Sequence, residues 1–437
     1  MPEMKDPLTG LDRYEGFLKK LEEEITKMDD CRIAIIYTDI KHFKYINDTY
    51  GYQRGDDLLK EFVHLLTVNN THMICAARVY SDNIVMAVRM TEGRANSDLR
   101  DIVYRKNIEL ENKLHDMFLD RKLKLCSGIS IISKDDRRLD AETAVSNANL
   151  ARKVAKELDE DCCVLFDRQM MEGIKKEVEI TSYIPTAIEN GEFKVYYQPK
   201  IETNTLRIIG AEALVRWQKP DGKFIYPDEF IPVIERSGQI VDVDYYVYRE
   251  VFKFLRKRLD EGQKVVPISM NISRVHLNKM GILEYVKSLF EEYKIPSELV
   301  EFELTESIYI NNTESALQLV EGLHAMGTKV SMDDFGSGYS SLNLLSRLPI
   351  DILKLDRVFL KESHLQENDK IIISCVIDMA RRLRITSLCE GVETLEQSDY
   401  LAQIGCEIQQ GYYFSKPIPQ IDFEQFVNDS LQTQAMA

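Results

Sequence analysis

From residue 209 onward, five apolar runs each carry an oxygen-bearing side chain at or near their ends. IGAEALVRW holds Glu212, SMNIS holds Asn271, VEFELTE holds Glu303, KVSMDDF holds Asp333 and Asp334, and SLCEGVE holds Glu390. Apolar, β-prone runs of this kind read as buried strands. A carboxylate buried in one is costly unless a cation, a proton or a hydrogen bond compensates it. A single such acid is ordinarily a helix cap or half of a surface ion pair, and Asn271 alone would fit a turn. A set that tracks successive strands is not explained that way, because capping does not require that order. All these donors are hard oxygens, which suit Mg²⁺ or Mn²⁺ rather than zinc. With so many on one rim, two ions are expected, and a pair about 3.5–4 Å apart can clamp the attacking and leaving oxygens of an in-line phosphoryl displacement. Asp333 and Asp334, adjacent where a strand ends, point to different ions or bridge them. Lys354, in ILKLD, is placed to orient or help deprotonate a nucleophilic water and to attract a phosphate. Gly336 and Gly338 in DDFGSGYSSL make a loop that adjusts around metal and substrate. Glu306 reads as a cap of the following helix and stays outside this site.

The elements needed to position such residues are legible in the pattern. Candidate strands span 193–201, 208–217, 265–272, 299–304, 329–333, 352–355, 385–389 and 407–414, with helical spacing at 241–258, 283–293, 313–326 and 369–383. Eight strands with intervening helices predict a (β/α)8 barrel, whose chemistry belongs at the C-terminal strand ends. Ahead of it, helical spacing at 13–28 and a strand at 32–40 are followed by a helix from about 56 to 68. Runs at 73–77 and 84–88 flank the polar tip Tyr80-Ser81-Asp82-Asn83, which predicts a hairpin. A helix at 98–118, a strand at 123–132, a helix at 140–157 and a strand at 162–166 complete a compact α+β domain. The expected division is 1–167 for this domain, 168–190 for a connecting helix, 191–428 for the barrel and 429–437 for a polar tail.

A chain of 437 residues has room for two or three cores, and 44% hydrophobic with 29% charged residues is an ordinary globular balance. The net charge of −16 excludes a general nucleic-acid or anionic-membrane surface. The eight cysteines form no CxxC pair and fall largely in apolar runs, so they are expected to be buried, reduced thiols. No stretch is long enough to span a bilayer and the N-terminus lacks a signal-peptide apolar core, so the expected compartment is the cytoplasm.

The segments YYQPKIE, GAEALVRW, YPDEFIPVIE, MNIS, FELTES, MDDFGSGYSSL, ILKLD, CEGVET and IQQGYYFSKP resemble an EAL domain, the cyclic di-GMP phosphodiesterase family, over about residues 175 to 425. The resemblance implies an α/β modified TIM barrel with one strand reversed near its start. It also implies hydrolysis of cyclic di-GMP to linear pGpG and a homodimer formed through this domain. Glu212, Asn271, Glu303, Asp333 and Glu390 match metal-ligand positions, and Asp334 matches the second metal's aspartate. Lys354 matches the lysine that positions the catalytic water. Gln198 and Arg216 match contacts to guanine-ribose and phosphate, and Gln410 the glutamine near the metal water. Glu393 matches a glutamate that holds the metal-site loop, and Ser337 stands where threonine is common. A receptor that binds without hydrolysing usually lacks one or more of these ligands.

DPLTGLDR at 6–13 and DIKHFKYINDTYGYQRGD at 39–56 resemble a GGDEF domain of diguanylate cyclases, with a nucleotide-cyclase-like α+β fold. Asp39 matches a metal aspartate, Asn47 and Asp56 match guanine contacts, and Lys156 matches a phosphate contact. The signature, however, is Tyr80-Ser81-Asp82-Asn83-Ile84, which puts side chains where paired glycines let the backbone approach a triphosphate. The resemblance therefore implies a degenerate domain without cyclase activity. Asp39, Asn47 and Asp56 leave open a regulatory GTP site, against a structural or dimerising role.

Overall fold

The computed structural model describes residues 5–28, 32–68, 70–90, 96–115, 123–133, 140–157, 162–278, 281–306, 308, 313–336, 349–360 and 367–435. Ser337, Gly338 and Cys31 lie outside the described residues. The chain divides into two compact units, Met1–Lys175 and Lys176–Ala437, and the helix Arg168–Glu189 contains the point of division. No described helix is long and apolar enough to cross a membrane.

The first unit is built on six strands: β1 (Asp12–Arg13), β2 (Arg32–Ile40), β3 (Met73–Tyr80), β4 (Asn83–Met90), β5 (Leu125–Ile132) and β6 (Cys163–Leu165). Their order in the sheet is β1-β3-β4-β2-β5-β6. Alternation along β2 sends Ile33, Ile35 and Tyr37 to one apolar layer and Ala34, Ile36 and Ile40 to the other, so helices cover both faces. The helix Ala141–Glu157 lies very close to β5 at Gly128, where a Cβ would stand 2.1 Å from Ala148 O and Arg152 N. That approach brings Arg152 and Lys156 down onto the end of β2. The hairpin expected around Tyr80 is the β3–β4 pair, with Ser81 in the left-handed region at φ 48°. Two helices, Phe43–Tyr50 and Tyr52–Thr67, replace the single one expected from about residue 56. Gly51, at φ 87°, breaks the pattern between them, which is why the first turn was illegible as part of a longer period.

The second unit closes into a barrel. After the connecting helix come β7 (Phe193–Glu202), β8 (Ile208–Gln218), β9 (Phe224–Ile225), β10 (Ile268–Ile272), β11 (Val300–Thr305), β12 (Lys329–Phe335), β13 (Ile352–Leu355), β14 (Thr386–Cys389), β15 (Ile408–Gln409) and β16 (Ile418–Pro419). The pairs from β8 through β10 to β15 are parallel, whereas β7 runs antiparallel to both β8 and β15 and closes the ring between them. This is the reversed strand that the resemblance implies. Outward-facing strand residues such as Tyr197 and Phe302 pack on the helix layer, with Tyr197 4.9 Å from the rings of Phe254 and Phe423. Each such buried ring contributes roughly 2 kcal/mol. Period-2 alternation then turns Gln198, Lys200 and Glu303 into the barrel.

Two expectations need correcting. The last strand was expected over 407–414 but spans only Ile408–Gln409; Gly411 packs so closely on the Val392 backbone that the chain turns instead of continuing the ladder. Cys375 is exposed on the helix Glu367–Leu383, while the other six described cysteines are buried and all seven are free thiols. Apolar spacing alone did not show which face of that helix Cys375 occupies.

Gly128→Ala should force the Ala141–Glu157 helix off β5 at a cost of about 1–3 kcal/mol. Hydrogen exchange of the intact chain should show faster exchange of the β5 amides, and unchanged protection there would refute the close approach.

Candidate active site

Lys354, the third residue of β13, is wholly buried inside the barrel. Its Nζ lies 2.7 Å from Glu390 Oε1, 3.1 Å from Asp333 Oδ2 and 3.6 Å from Glu212 Oε2, and it also pairs with Glu303 Oε2. Burial works against its charge, yet the surrounding carboxylates hold its pKa well above the ordinary lysine value. Register explains how residues so far apart in sequence meet. Asn271 on β10 is level with Glu303 on β11, and Thr305 on β11 is level with Asp333 on β12. Glu390 follows β14 directly, its N–H bonded to Leu355 O at 3.0 Å.

Glu212 is fixed at both oxygens. Asn271 Nδ2 donates to Oε1 at 3.0 Å and Gln410 Nε2 to Oε2 at 2.7 Å. Asn271 is itself placed by its carbonyl, which accepts from Tyr248 Oη at 2.9 Å. Gln410 also donates to Gln198 Oε1 at 3.1 Å, and Gln198 Nε2 donates to Ser415 O at 3.2 Å. A contact from Gln198 to substrate therefore requires exchange of these bonds.

The adjacent aspartates diverge because β12 is irregular between Met332 and Phe335. Asp334 takes φ 58°, a left-handed conformation that aspartate tolerates better than most residues, and its N–H donates back to Asp333 Oδ1 at 2.8 Å. Asp333 thus faces the Lys354 cluster, whereas Asp334 lines the cleft with Arg216, its pKa raised first by burial and then by the nearby Asp356 carboxylate. Arg216 is half-buried, donates to Val215 O at 2.8 Å and sits 5.8 Å above the Tyr196 ring. With Asn271, Asp334, Glu235 and Ser273 it lines a cleft of about 540 Å³.

These donors fit a hard cation. One oxygen each from Glu212, Glu303 and Asp333 lie within 4.8 Å of one another. Burial first, then mutual repulsion, raises the pKa of Glu212 and Glu390, and pushes Asp333 up to about 6. Glu303 differs: burial would raise it, but Lys200 and Lys354 outweigh that and hold it at about 2. The barrel interior therefore carries more carboxylate than its two lysines neutralise, in a form that a divalent ion would relieve.

Sequence reasoning missed Lys200 and Glu301; Lys200 pairs with Glu301 and also with Glu303. The signal was present as a lysine two residues after Gln198 and as acids at alternate positions of β11. It also missed Asp356, named only within ILKLD. Glu306, expected as a helix cap, is buried and accepts the Gly336 N–H at 3.4 Å, at the start of the loop after β12. Glu393, implied as a loop support, is exposed, with its N–H donating to Gln397 Oε1 at 2.7 Å.

In the first unit Asp39 is buried, and its Oδ2 accepts from Arg152 and, at 2.6 Å, from Lys156. Its other oxygen, Oδ1, is buried without a hydrogen-bond partner among the described residues. Asn47 and Lys156 line a cleft of about 390 Å³ with Ser81 and Asp82, while Asp56 is half-buried on the Tyr52–Thr67 helix. Asp82 is turned inward to accept the Ile40 N–H at 2.9 Å.

A closed barrel with one reversed strand and a hard-oxygen cluster at its parallel strand ends defines the class of protein. Comparison makes it particular. The EAL domain family matches residues 182–417, more than half of the chain, and the diguanylate cyclase GGDEF domain family matches residues 3–162. The chain belongs to the EAL domain family. MucR of Pseudomonas aeruginosa, named a bifunctional diguanylate cyclase/cyclic di-GMP phosphodiesterase, is 30% identical, covering 95% of this chain and 60% of its own length. PdeR of Escherichia coli, a cyclic di-GMP phosphodiesterase, is also 30% identical, covering 96% of this chain and 63% of its own. The chain thus spans about three-fifths of the length of these curated relatives. The solved PaMucR phosphodiesterase, in complex with c-di-GMP, is 33% identical with a TM-score of 0.53, covering 56% of this chain and 99% of that one. The cGMP-bound EAL enzyme Bd1971, 21% identical with a TM-score of 0.56 over 91% of this chain and 95% of its own, shares the fold.

Mn²⁺ or Mg²⁺ at a hundredfold excess over its dissociation constant should stabilise the barrel by about 2.7 kcal/mol. Calorimetry should show the rise in unfolding temperature for the wild type and none for Glu212→Gln. An equal rise in both would remove Glu212 from the site.

Proposed function

We propose that the chain is a metal-dependent phosphodiesterase that hydrolyses one 3′–5′ phosphodiester of cyclic di-GMP to give linear pGpG. The carrying observation is the buried lysine surrounded by four carboxylates, Glu212, Glu303, Asp333 and Glu390, with Asn271, which bonds to Glu212, lining a cleft together with Arg216. In the reaction a water oxygen bonds to phosphorus as the P–O3′ bond breaks, and a proton of that water ends on the departing oxygen. Glu212, Asn271, Glu303, Asp333, Asp334 and Glu390 would hold two Mg²⁺ or Mn²⁺ ions. Such ions, when bound, acidify a water and neutralise charge at the phosphoryl group. Lys354 keeps a fixed positive charge between Asp333 and Glu390 and orients the water. Arg216 holds the phosphate, and Gln410 together with Asn271 fixes the angle at which Glu212 offers its oxygens. Hydrolysis is favoured over a receptor that only binds because no member of this donor set is missing.

The first unit is read as a regulatory domain without cyclase activity. Tyr80 and Ser81 carry side chains where paired glycines would admit a triphosphate, and Arg152 and Lys156 already neutralise Asp39. The cleft at Asn47 and Lys156 supports a GTP site that needs no divalent ion on Asp39. GTP binding to the Glu212→Ala chain should survive EDTA. Binding lost with EDTA would return a metal to Asp39, and no binding at all would leave the unit a structural role.

Purified chain with cyclic di-GMP and Mg²⁺ or Mn²⁺ should form pGpG, and chelator should stop it. Tight binding without product in either metal would overturn the proposal. Glu212→Ala should reduce turnover to background with the circular dichroism spectrum retained. Lys354→Ala should lower kcat roughly 10²–10³-fold with little change in KM; a change confined to KM would make Lys354 a binding residue instead.

A further inference from the structure

Lys200 has no part in the mechanism above, yet its placement is demanding. It stands on β7, the reversed strand, and its side chain reaches across the barrel interior to β11. There its Nζ lies 2.9 Å from Glu301 Oε1 and 2.9 Å from Glu303 Oε1, with 3% of the residue exposed. Glu303 is thereby held at both oxygens, Oε1 by Lys200 and Oε2 by Lys354. Glu301 and Glu303 are two apart on one strand and so share a face, while Phe302 between them packs on the helix layer. Without a cation between them, the two acids would repel and Glu303 would lose the hold on Oε1. Glu301 contributes no oxygen to the cluster formed by Glu212, Glu303 and Asp333.

We propose that Lys200 is a positioning residue of the active site. It clamps Glu303 through Oε1, with Glu301 as its counter-charge, and so fixes a carboxylate that would serve as a ligand to the divalent ion. Its effect on turnover rests on the phosphodiesterase reading, whereas its effect on metal binding rests on the oxygen cluster alone. Lys200 touches a ligand rather than the substrate. Hydrogen-bonding partners of metal ligands typically contribute ~10–100-fold in metal affinity or activity.

A bland role competes with this one: Lys200 could serve only to balance the charge of Glu301. Two variants of the full chain separate them. Lys200→Met removes the clamp and leaves Glu301 uncompensated, while Lys200→Met combined with Glu301→Gln removes the clamp and restores the charge balance. The Mn²⁺ dissociation constant is read by electron paramagnetic resonance of free Mn²⁺, with kcat and KM for cyclic di-GMP measured alongside. Both variants are expected to bind Mn²⁺ ~10–100-fold more weakly, with the loss in kcat exceeding any change in KM. If Lys200→Met fails to fold, the double variant carries the test. A double variant with wild-type Mn²⁺ affinity would overturn the clamp and leave only charge balance. A wild-type chain that binds Mn²⁺ but forms no pGpG would sink the phosphodiesterase reading, and the Mn²⁺ measurements would still decide the role of Lys200.

Discussion

An ammonium group with no access to water, Lys354 Nζ, sits among carboxylates drawn from four different strands or strand ends. Neither side of this arrangement is stable alone. A bare buried ammonium or a bare buried carboxylate would change its protonation state rather than remain charged. Together they persist only while the barrel stays closed, since β8, β11, β12, β13 and the residue after β14 must all be in register. The second lysine, Lys200, extends the same logic to a fifth acid, Glu301. Negative charge still exceeds positive charge, and the surplus is what a divalent ion would meet.

The oxygen donors were legible in the sequence because an acid inside an apolar strand is conspicuous. Glu212, Asn271, Glu303 and Asp333 could be listed in chain order, and the barrel brings them into one cluster. What was not legible depended on which residues face each other across the ring. Lys200 and Glu301 are 101 residues apart and meet only because β7 is reversed. The divergence of Asp333 and Asp334 comes from an irregularity in the β12–β13 ladder, and residue types do not encode such an irregularity openly. Glu306 was assigned to a helix cap by proximity in sequence, yet its carboxylate takes a backbone donor 30 residues away.

The first unit shows the complementary case, in which a matching residue gains a partner that the motif does not announce. Asp39 matches a metal aspartate by type and position, but the helix that lies tightly on Gly128 delivers Arg152 to the same oxygen. Arg152 drew no notice in the sequence because one arginine on a charged helix is ordinary. Its burial, at 5% exposure, and its position 5.3 Å above the Tyr37 ring belong to the packed state only.

The seam between β14, β15 and β7 is the narrowest in the ring, with two residue pairs on each side of β15. Gln410 follows it directly and is the residue that secures Glu212 Oε2, 198 positions earlier in the chain. Such a contact is costly to form early, because the loop it closes is long. During synthesis, β7 and β8 leave the ribosome with nearly two hundred residues still to come before Gln410. Until residue 410 emerges, Glu212 Oε2 and Gln198 Oε1 on these two strands lack the amide donor that they share. The order of synthesis thus completes the hydrogen bonds of Glu212 last, since Asn271 precedes Gln410 in the chain, and the barrel stays exposed to premature association until then.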